Sequence, residues 1–173
     1  MNYFELYDLP VTFHPNQQLV KQKFYELSKK YHPDFYINSS IEKQEEVLAF
    51  STLNNKAYQV LKDFQSTLHY ILTLKNQLVE GENYILPQEF LMEMMEINES
   101  LMDLEFDPDS EKMAILITQI KQAEKTVLAE LQTLSLSYDT DRHLTQANTL
   151  AAIKDLYYRN KYLLRIKERV GNT

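Results

Sequence analysis

Two glycines, Gly81 and Gly171, serve a chain of 173 residues. That is roughly 1% against a usual share of about 7%. A chain so poor in glycine cannot build the phosphate-cradling loops, dinucleotide-binding turns or calcium loops that depend on glycine's backbone freedom. It is also poorly supplied with the tight turns that strands need. Strand alternation bounded by turn residues is hard to find along it, whereas helical periodicity is easy to find. The expected fold class is all-α.

Other classes fall away on composition. The absence of cysteine excludes disulfides, thiol catalysis and cysteine-ligated zinc or iron–sulfur sites. No apolar run approaches the roughly 20 residues of a membrane span. The opening MNYFELYDLP lacks a basic stretch followed by a long apolar one, so no secretory signal is expected. A soluble, cytoplasmic protein with no membrane partner is the expectation.

Breakers and caps divide the chain. A short helix is predicted over Asn2–Leu9, stopped by Pro10. Asn16 is a cap for a second helix reaching Tyr31, with Val20, Phe24, Leu27 and Tyr31 in one stripe. His32-Pro33 ends it, because a residue before proline leaves helical space. Phe35–Ser40 reads as a loop, with Ser39 or Ser40 capping a third helix over Ile41–Lys62. Phe50, Leu53, Ala57 and Leu61 or Val60 are its expected buried face. Leu68–Leu74 is a short fourth helix, and 76–87, with Gly81 and Pro87, is an expected linker between domains at 1–75 and 88–173. Three longer helices follow: Gln88–Glu105, then about Ser110–Leu136, then one from Thr140 or Asp141, after the break at Ser137-Tyr138-Asp139, to about Arg169. In the middle one Met113, Ile117, Ile120, Val127, Leu131 and Leu134 point inward. Short breaks make these an antiparallel three-helix bundle.

Charge divides in the same place. The chain carries 18 Lys+Arg and 25 Asp+Glu, formal charge −7. Residues 1–75 hold 8 of each sign, so the whole excess falls on 76–173. From Glu80 to Glu111 there are eleven acids and no Lys or Arg, whereas Lys154–Arg169 holds six basic residues against two acids. Such an acidic balance argues against sequence-independent nucleic-acid binding. The bland reading of the split is pairing between bundle helices.

Two constellations stand out. His32-Pro33-Asp34 follows a helix bearing Lys21, Lys23, Lys29 and Lys30. Pro33 stiffens the corner, which presents His32 and Asp34 as donor and acceptor beside cations able to meet an acidic partner surface. On Gln88–Glu105, at 100° per residue, Phe90, Met94, Ile97, Leu101 and Leu104 cluster within about 40° of one direction. Leu91, Met95 and Met102 form a second stripe roughly 120° away, with Met92 beside it and Glu96, Glu99 and Asp103 continuing round. One stripe suffices for a bundle core. The second is either buried between subdomains or a methionine-rich, acid-flanked surface suited to a basic protein partner.

Tyr31-His32-Pro33-Asp34, with Asn55-x-Ala57-Tyr58-x-x-Leu61 on the next helix, resembles a J-domain. Tyr3-Phe4-x-Leu6-Tyr7-x-Leu9-Pro10, Lys23-Phe24-x-Glu26-Leu27, Tyr70-Ile71-Leu72 and Phe90-Leu91-Met92-Glu93 are similar to the HscB family, the J-type co-chaperones of iron–sulfur cluster biogenesis. The resemblance implies an L-shaped molecule with an N-terminal J-domain and a C-terminal three-helix bundle. It implies two partners: an HscA/DnaK-type ATPase chaperone stimulated through His32, Pro33, Asp34, Lys23, Lys29 and Lys30, and the cluster scaffold protein IscU. The scaffold-binding residues it implies are Leu91, Met92, Met95, Glu96, Glu99 and Asp103, completed by Tyr158. It implies no cofactor and no enzymatic activity. The chain departs from the family pattern at Phe35, where lysine is common, and at Phe64 and Thr67, where proline and arginine are frequent. It also lacks the cysteine-rich N-terminal extension of some eukaryotic relatives, which favours a bacterial-type protein.

Other readings weigh less. None of His14, His32, His69 and His143 follows a Glu at three residues, so the carboxylate-bundle metal pattern is absent. Ser39 and Ser40 lack a nucleophile-elbow context. Tyr157, Tyr158 and Tyr162 among basic residues suggest RNA stacking, but packing within a bundle explains them more simply. The alternatives are a J-protein carrying a different client, or an all-α enzyme using His32 and Asp34 as acid and base.

Overall fold

The computed structural model describes residues 1–140 and 146–171. Every element among them is helical, and the chain divides into two compact units, Met1–Lys75 and Asn76–Thr173.

The first unit opens with α1 (Tyr3–Leu6). Asn2 and Glu5 cap each other reciprocally. The helix ends well before Pro10, correcting the expected Asn2–Leu9. Asp8 takes a left-handed φ of 53°, its N–H bonds to the Glu5 carbonyl, and the Leu9 N–H reaches back to Phe4 at 2.9 Å. This is a Schellman ending with aspartate in the place glycine usually fills.

α2 (Gln17–Lys30) starts at Asn16, whose side chain accepts from the Gln18 and Leu19 N–H groups. α3 (Ile41–Leu61) starts at Ser40, which accepts from Lys43. The two run antiparallel, as their side-chain pairing shows. Phe24 stacks on Tyr58 at 4.1 Å, Asn54 donates to Ser28 at 3.0 Å, and Tyr31 stacks on Phe50 at 4.7 Å. As one helix advances the other retreats. Phe50 and Leu53 are only half-buried, because Val47 and Asn54 take the innermost positions beside Ala57 and Leu61. Asn54 is tolerated there because it is hydrogen-bonded: Tyr7 donates to its Oδ1 at 2.9 Å, and its Nδ2 donates to the Phe24 carbonyl at 3.1 Å. α4 (Phe64–Leu74) begins four residues earlier than expected, because Asp63 caps it through Ser66. Thr67 is buried and donates to the Val60 carbonyl, so this residue suits its place as a small polar group. Leu68, Ile71 and Leu72 close the core with Phe4, Tyr7, Phe13 and Val20.

The second unit is a bundle of α5 (Gln88–Phe106), α6 (Ser110–Thr140) and α7 (Gln146–Gly171). α6 continues through Ser137-Tyr138-Asp139, correcting the expected break: without proline or glycine a polar triplet does not stop a helix. Thr140 is thus the last residue of α6, not the start of the next helix, and Asp141 lies outside the described residues. Leu116, Ile120, Val127, Leu131 and Ser135 are its buried positions, whereas Met113, Ile117 and Leu134 are half-buried. α5 and α7 run parallel. Asn98 bonds Tyr162 and Glu105 pairs with Arg169, each 64 residues apart. α6 returns between them after Asp109, whose carboxylate accepts from the Glu111 and Lys112 N–H groups at 2.9 and 3.0 Å. The Glu105–Arg169 and Glu124–Lys167 pairs join acidic helices to the basic one.

With 31 residues against 19, α6 outreaches α5 by about 18 Å. Part of 76–87 lies against α7. Gly81, at φ 75°, makes the turn that bonds Glu82 N–H to the Val79 carbonyl. Glu82 then pairs with Lys154 at 2.6 Å and accepts from the Tyr158 hydroxyl at 3.1 Å. Tyr84 donates to Asp155 at 2.9 Å and stacks on Tyr158. This strap is anchored by a chain of charge-assisted contacts.

Candidate functional site

Two surfaces carry the candidate residues, one on each unit. The first is the corner between α2 and α3. Pro33–Tyr36 is a 3₁₀ turn rather than the start of a loop, and His32 is its cap. The ring Nδ1 accepts from the Asp34 N–H at 3.3 Å, which leaves the proton of the neutral imidazole on Nε2 as an outward donor. The Asp34 carboxylate lies 3.7 Å from the same Nδ1. Both side chains are exposed, and the His32 Nδ1 contacts are the only polar use that either has inside the fold among the described residues.

The corner is braced from both sides. Tyr36 donates to the Lys30 carbonyl at 2.9 Å, closing one of the open carbonyls at the end of α2. Gln44 donates from α3 to the carbonyls of Ile37 and Ser39 at 3.0 and 2.9 Å. Phe35 tilts against His32 with ring centroids 5.6 Å apart.

The three candidate lysines are not equivalent. Lys23 and Lys30 are seven residues apart and share one face of α2, whereas Lys29 lies roughly 100° round from Lys30. Lys23 pairs with Asp8 at 2.8 Å, and that hydrogen bond raises its pKa. Lys30 sits 5.2 Å from the Tyr31 ring centre. Lys29 is exposed.

The second surface is the outer side of α5. Met94, Leu101 and the rest of the first stripe are buried. Met92, Met95 and Met102 are 56%, 60% and 59% exposed, and Glu96, Glu99 and Asp103 are exposed beside them. Phe106 extends this ridge at the helix end and is 96% exposed. A period-3.6 extrapolation from Met95 and Met102 finds it once the helix is known to include residue 106. Leu91 is half-buried.

Tyr158 stands apart from the acidic ridge and beside Leu91, in a groove closed by the strap. Burial first, and then its bond to Glu82, pushes the Tyr158 hydroxyl up to about 12. Burial and Asp155 do the same to Tyr84. Hydrogen bonds from Lys154 and Tyr158 hold the Glu82 carboxyl below its usual range. Nothing local in the sequence announces Glu82 or Tyr84, since their partners lie about 70 residues away.

Among the described residues no group of three or more His, Asp or Glu could hold a metal ion, and no helix is long and apolar enough to cross a membrane. His143 lies outside the described residues.

Residues 2–70 match the family described as the DnaJ domain, and residues 86–171 match the HSCB C-terminal oligomerisation domain. The co-chaperone protein HscB of Buchnera aphidicola is 33% identical over 144 residues, covering 83% of this chain and 82% of its own. The HscB homologue of Vibrio cholerae is 31% identical over 172 residues, covering 98% and 95%. The solved structure of chaperone HscB from Vibrio cholerae superposes with a TM-score of 0.69 at 27% identity, over 99% of this chain and 96% of that one. Human HscB superposes with a TM-score of 0.74 at 23% identity, over 99% and 81%, a likeness of fold alone.

Proposed function

The chain belongs to the HscB family of J-domain co-chaperones, and on that premise we propose that it stimulates ATP hydrolysis by an HscA/DnaK-type chaperone while carrying the iron–sulfur scaffold protein IscU, in the cytoplasm, to assist cluster assembly and transfer. The observation that carries this reading is the braced corner. His32 and Asp34 are exposed, yet their backbone is fixed by Pro33, Tyr36 and Gln44. A donor and an acceptor held in place lose little freedom on binding, so their contacts with a partner translate into affinity. Lys29 and Lys30 add long-range attraction to an acidic surface.

The ridge on α5 supports the second half. Methionine side chains adapt to an irregular apolar partner surface, and the carboxylates of Glu96, Glu99 and Asp103 favour a basic rim round it. The chemistry belongs to the chaperone. This chain supplies a trigger at one unit and a cargo surface at the other.

The test is ATP turnover by a purified HscA-type chaperone. Adding this chain should raise the rate, and His32→Gln should abolish the rise with the circular dichroism spectrum unchanged. No acceleration by the wild-type chain contradicts the proposal.

A further inference from the structure

The turn that carries Pro33 and Asp34 has no anchor in the core. None of residues 33–36 is buried, and Phe35 and Ile37 are 69% and 67% exposed. A gap of about 360 Å³ opens between the turn and α3, lined by Pro33, Tyr36, Ile37, Ile41 and Leu48. In and just after the turn, the Phe35 N–H bonds to the His32 carbonyl at 3.1 Å and the Ser39 N–H to the Tyr36 carbonyl at 2.9 Å. Two bonds of this short-range kind do not by themselves keep an exposed turn in one place.

What holds the turn lies on either side of it. The Tyr36 hydroxyl ties it to the Lys30 carbonyl at the end of α2. The Gln44 amide has two hydrogens, and it donates one to the Ile37 carbonyl and one to the Ser39 carbonyl, tying the outgoing chain to the first turn of α3. The anchor points, Lys30 and Gln44, bracket His32-Pro33-Asp34 along the chain. Among the described residues neither brace is hydrogen-bonded to His32 or Asp34, so each acts on them through the backbone. Gln44 is exposed and Tyr36 half-buried, so loss of either polar group opens no hole in the core.

We infer that Tyr36 and Gln44 are positioning residues for stimulation of the chaperone: together they hold the corner in the arrangement that presents His32 and Asp34 side by side. The inference rests on the chaperone reading above. The apparent affinity of a site scales with the fraction of molecules in which it is in place. A braced corner is in place before the partner arrives, and an unbraced one has to be ordered by the partner. Once bound, both have the same geometry. The braces therefore set how much of this chain is needed, and not how fast the saturated chaperone turns over.

ATP turnover by a purified HscA-type chaperone, titrated with the full chain, tests this together with amide hydrogen exchange of the chain alone. Tyr36→Phe removes only the hydroxyl. Gln44→Met keeps the length and neutrality of the side chain and removes its donors. Each should speed exchange at the Phe35 and Ser39 amides about fivefold, the factor that one net hydrogen bond represents, with the circular dichroism spectrum unchanged. The two together should raise the concentration giving half-maximal stimulation about threefold or more and leave the saturating rate at the wild-type value. If the double variant fails to fold, exchange in the single variants decides. Unchanged exchange with an unchanged half-maximal concentration overturns the inference. So does a saturating rate that falls while the half-maximal concentration stays constant, because the groups then act in the stimulating contact itself. Exchange that quickens equally at Val47 and Leu61 marks general destabilisation and also overturns it. Each of these leaves the chaperone reading standing, whereas no acceleration by the wild type overturns both.

Discussion

Tyr84 lies flat on Tyr158, with ring centroids 4.4 Å apart and planes 7° from parallel. Each hydroxyl donates to a carboxylate, Tyr84 to Asp155 and Tyr158 to Glu82. The two carboxylates are in turn held by Arg159 and Lys154. A segment with no regular structure is thereby fixed to a helix by one aromatic stack and three polar contacts, with Arg159 holding Asp155 in place within the helix.

Tyr84→Ala removes the stack and the Asp155 hydrogen bond together. It should destabilise the chain by about 1–2 kcal/mol, given the usual worth of an aromatic pair plus a net hydrogen bond. Chemical denaturation followed by circular dichroism reads this. A change below about 0.3 kcal/mol would mean that the strap is not held by the stack.

Acid should release the strap. Hydrogen bonding to Lys154 and Tyr158 depresses the folded-state pKa of Glu82. The resulting stabilisation is therefore present above the unfolded carboxylate pKa of about 4.3 and is lost as pH falls through the lower folded value. Ring resonances of Tyr84 and Tyr158 in NMR should stay constant from neutral pH to about pH 5 and shift below it. Glu82→Gln should remove the acid transition. A transition that survives this substitution assigns it to another group.

In the first unit the sensitive position is Asn54, which is buried and joins Tyr7 to Phe24 and Ser28. Asn54→Ala removes the Oδ1 that accepts from the buried Tyr7 hydroxyl and the Nδ2 that donates to Ser28 and, as a second donor, to the Phe24 carbonyl. The expected cost is about 2–3 kcal/mol, the penalty for buried groups left without partners. A loss under about 0.5 kcal/mol, typical of surface changes, would show that the network is dispensable.

On the ridge, replacing Met92, Glu96 and Glu99 by Ala touches only exposed side chains. Stability should move by no more than about 0.5 kcal/mol. Affinity for the scaffold protein, read by titration calorimetry, should fall about tenfold or more if these are central contacts. Equal affinity places the interface elsewhere.

Much of the fold is legible because its signals are local. Asn16 and Ser40 cap where short polar side chains favour capping, and the Phe90–Leu104 stripe is buried as its spacing predicts. The missed boundaries have physical reasons. Asp8 ends α1 in a conformation that glycine usually signals, Asp63 extends α4 backward by a cap, and Ser137-Tyr138-Asp139 is polar without being a breaker. Burial in α3 shifts by part of a turn because Asn54 is polar yet fully bonded, and no periodicity rule places an asparagine inside. At the corner, His-Pro-Asp is readable as a tripeptide. Its braces from Tyr36 and Gln44 and the internal use of Lys23 by Asp8 depend on tertiary contacts. The strap is the largest illegible part, since Glu82 and Tyr84 look like linker residues until α7 is laid beside them.

The central claim is that trigger and cargo surface are separate. Steady-state ATP hydrolysis by the HscA-type chaperone, measured with this chain in the absence and presence of the scaffold protein, tests it most directly. The Met92, Glu96 and Glu99 alanine variant should keep the stimulation seen without scaffold and lose only the further rise expected when scaffold is added, whereas His32→Gln should lose both. If the alanine variant loses the scaffold-free stimulation, or His32→Gln keeps either component, the separation is contradicted.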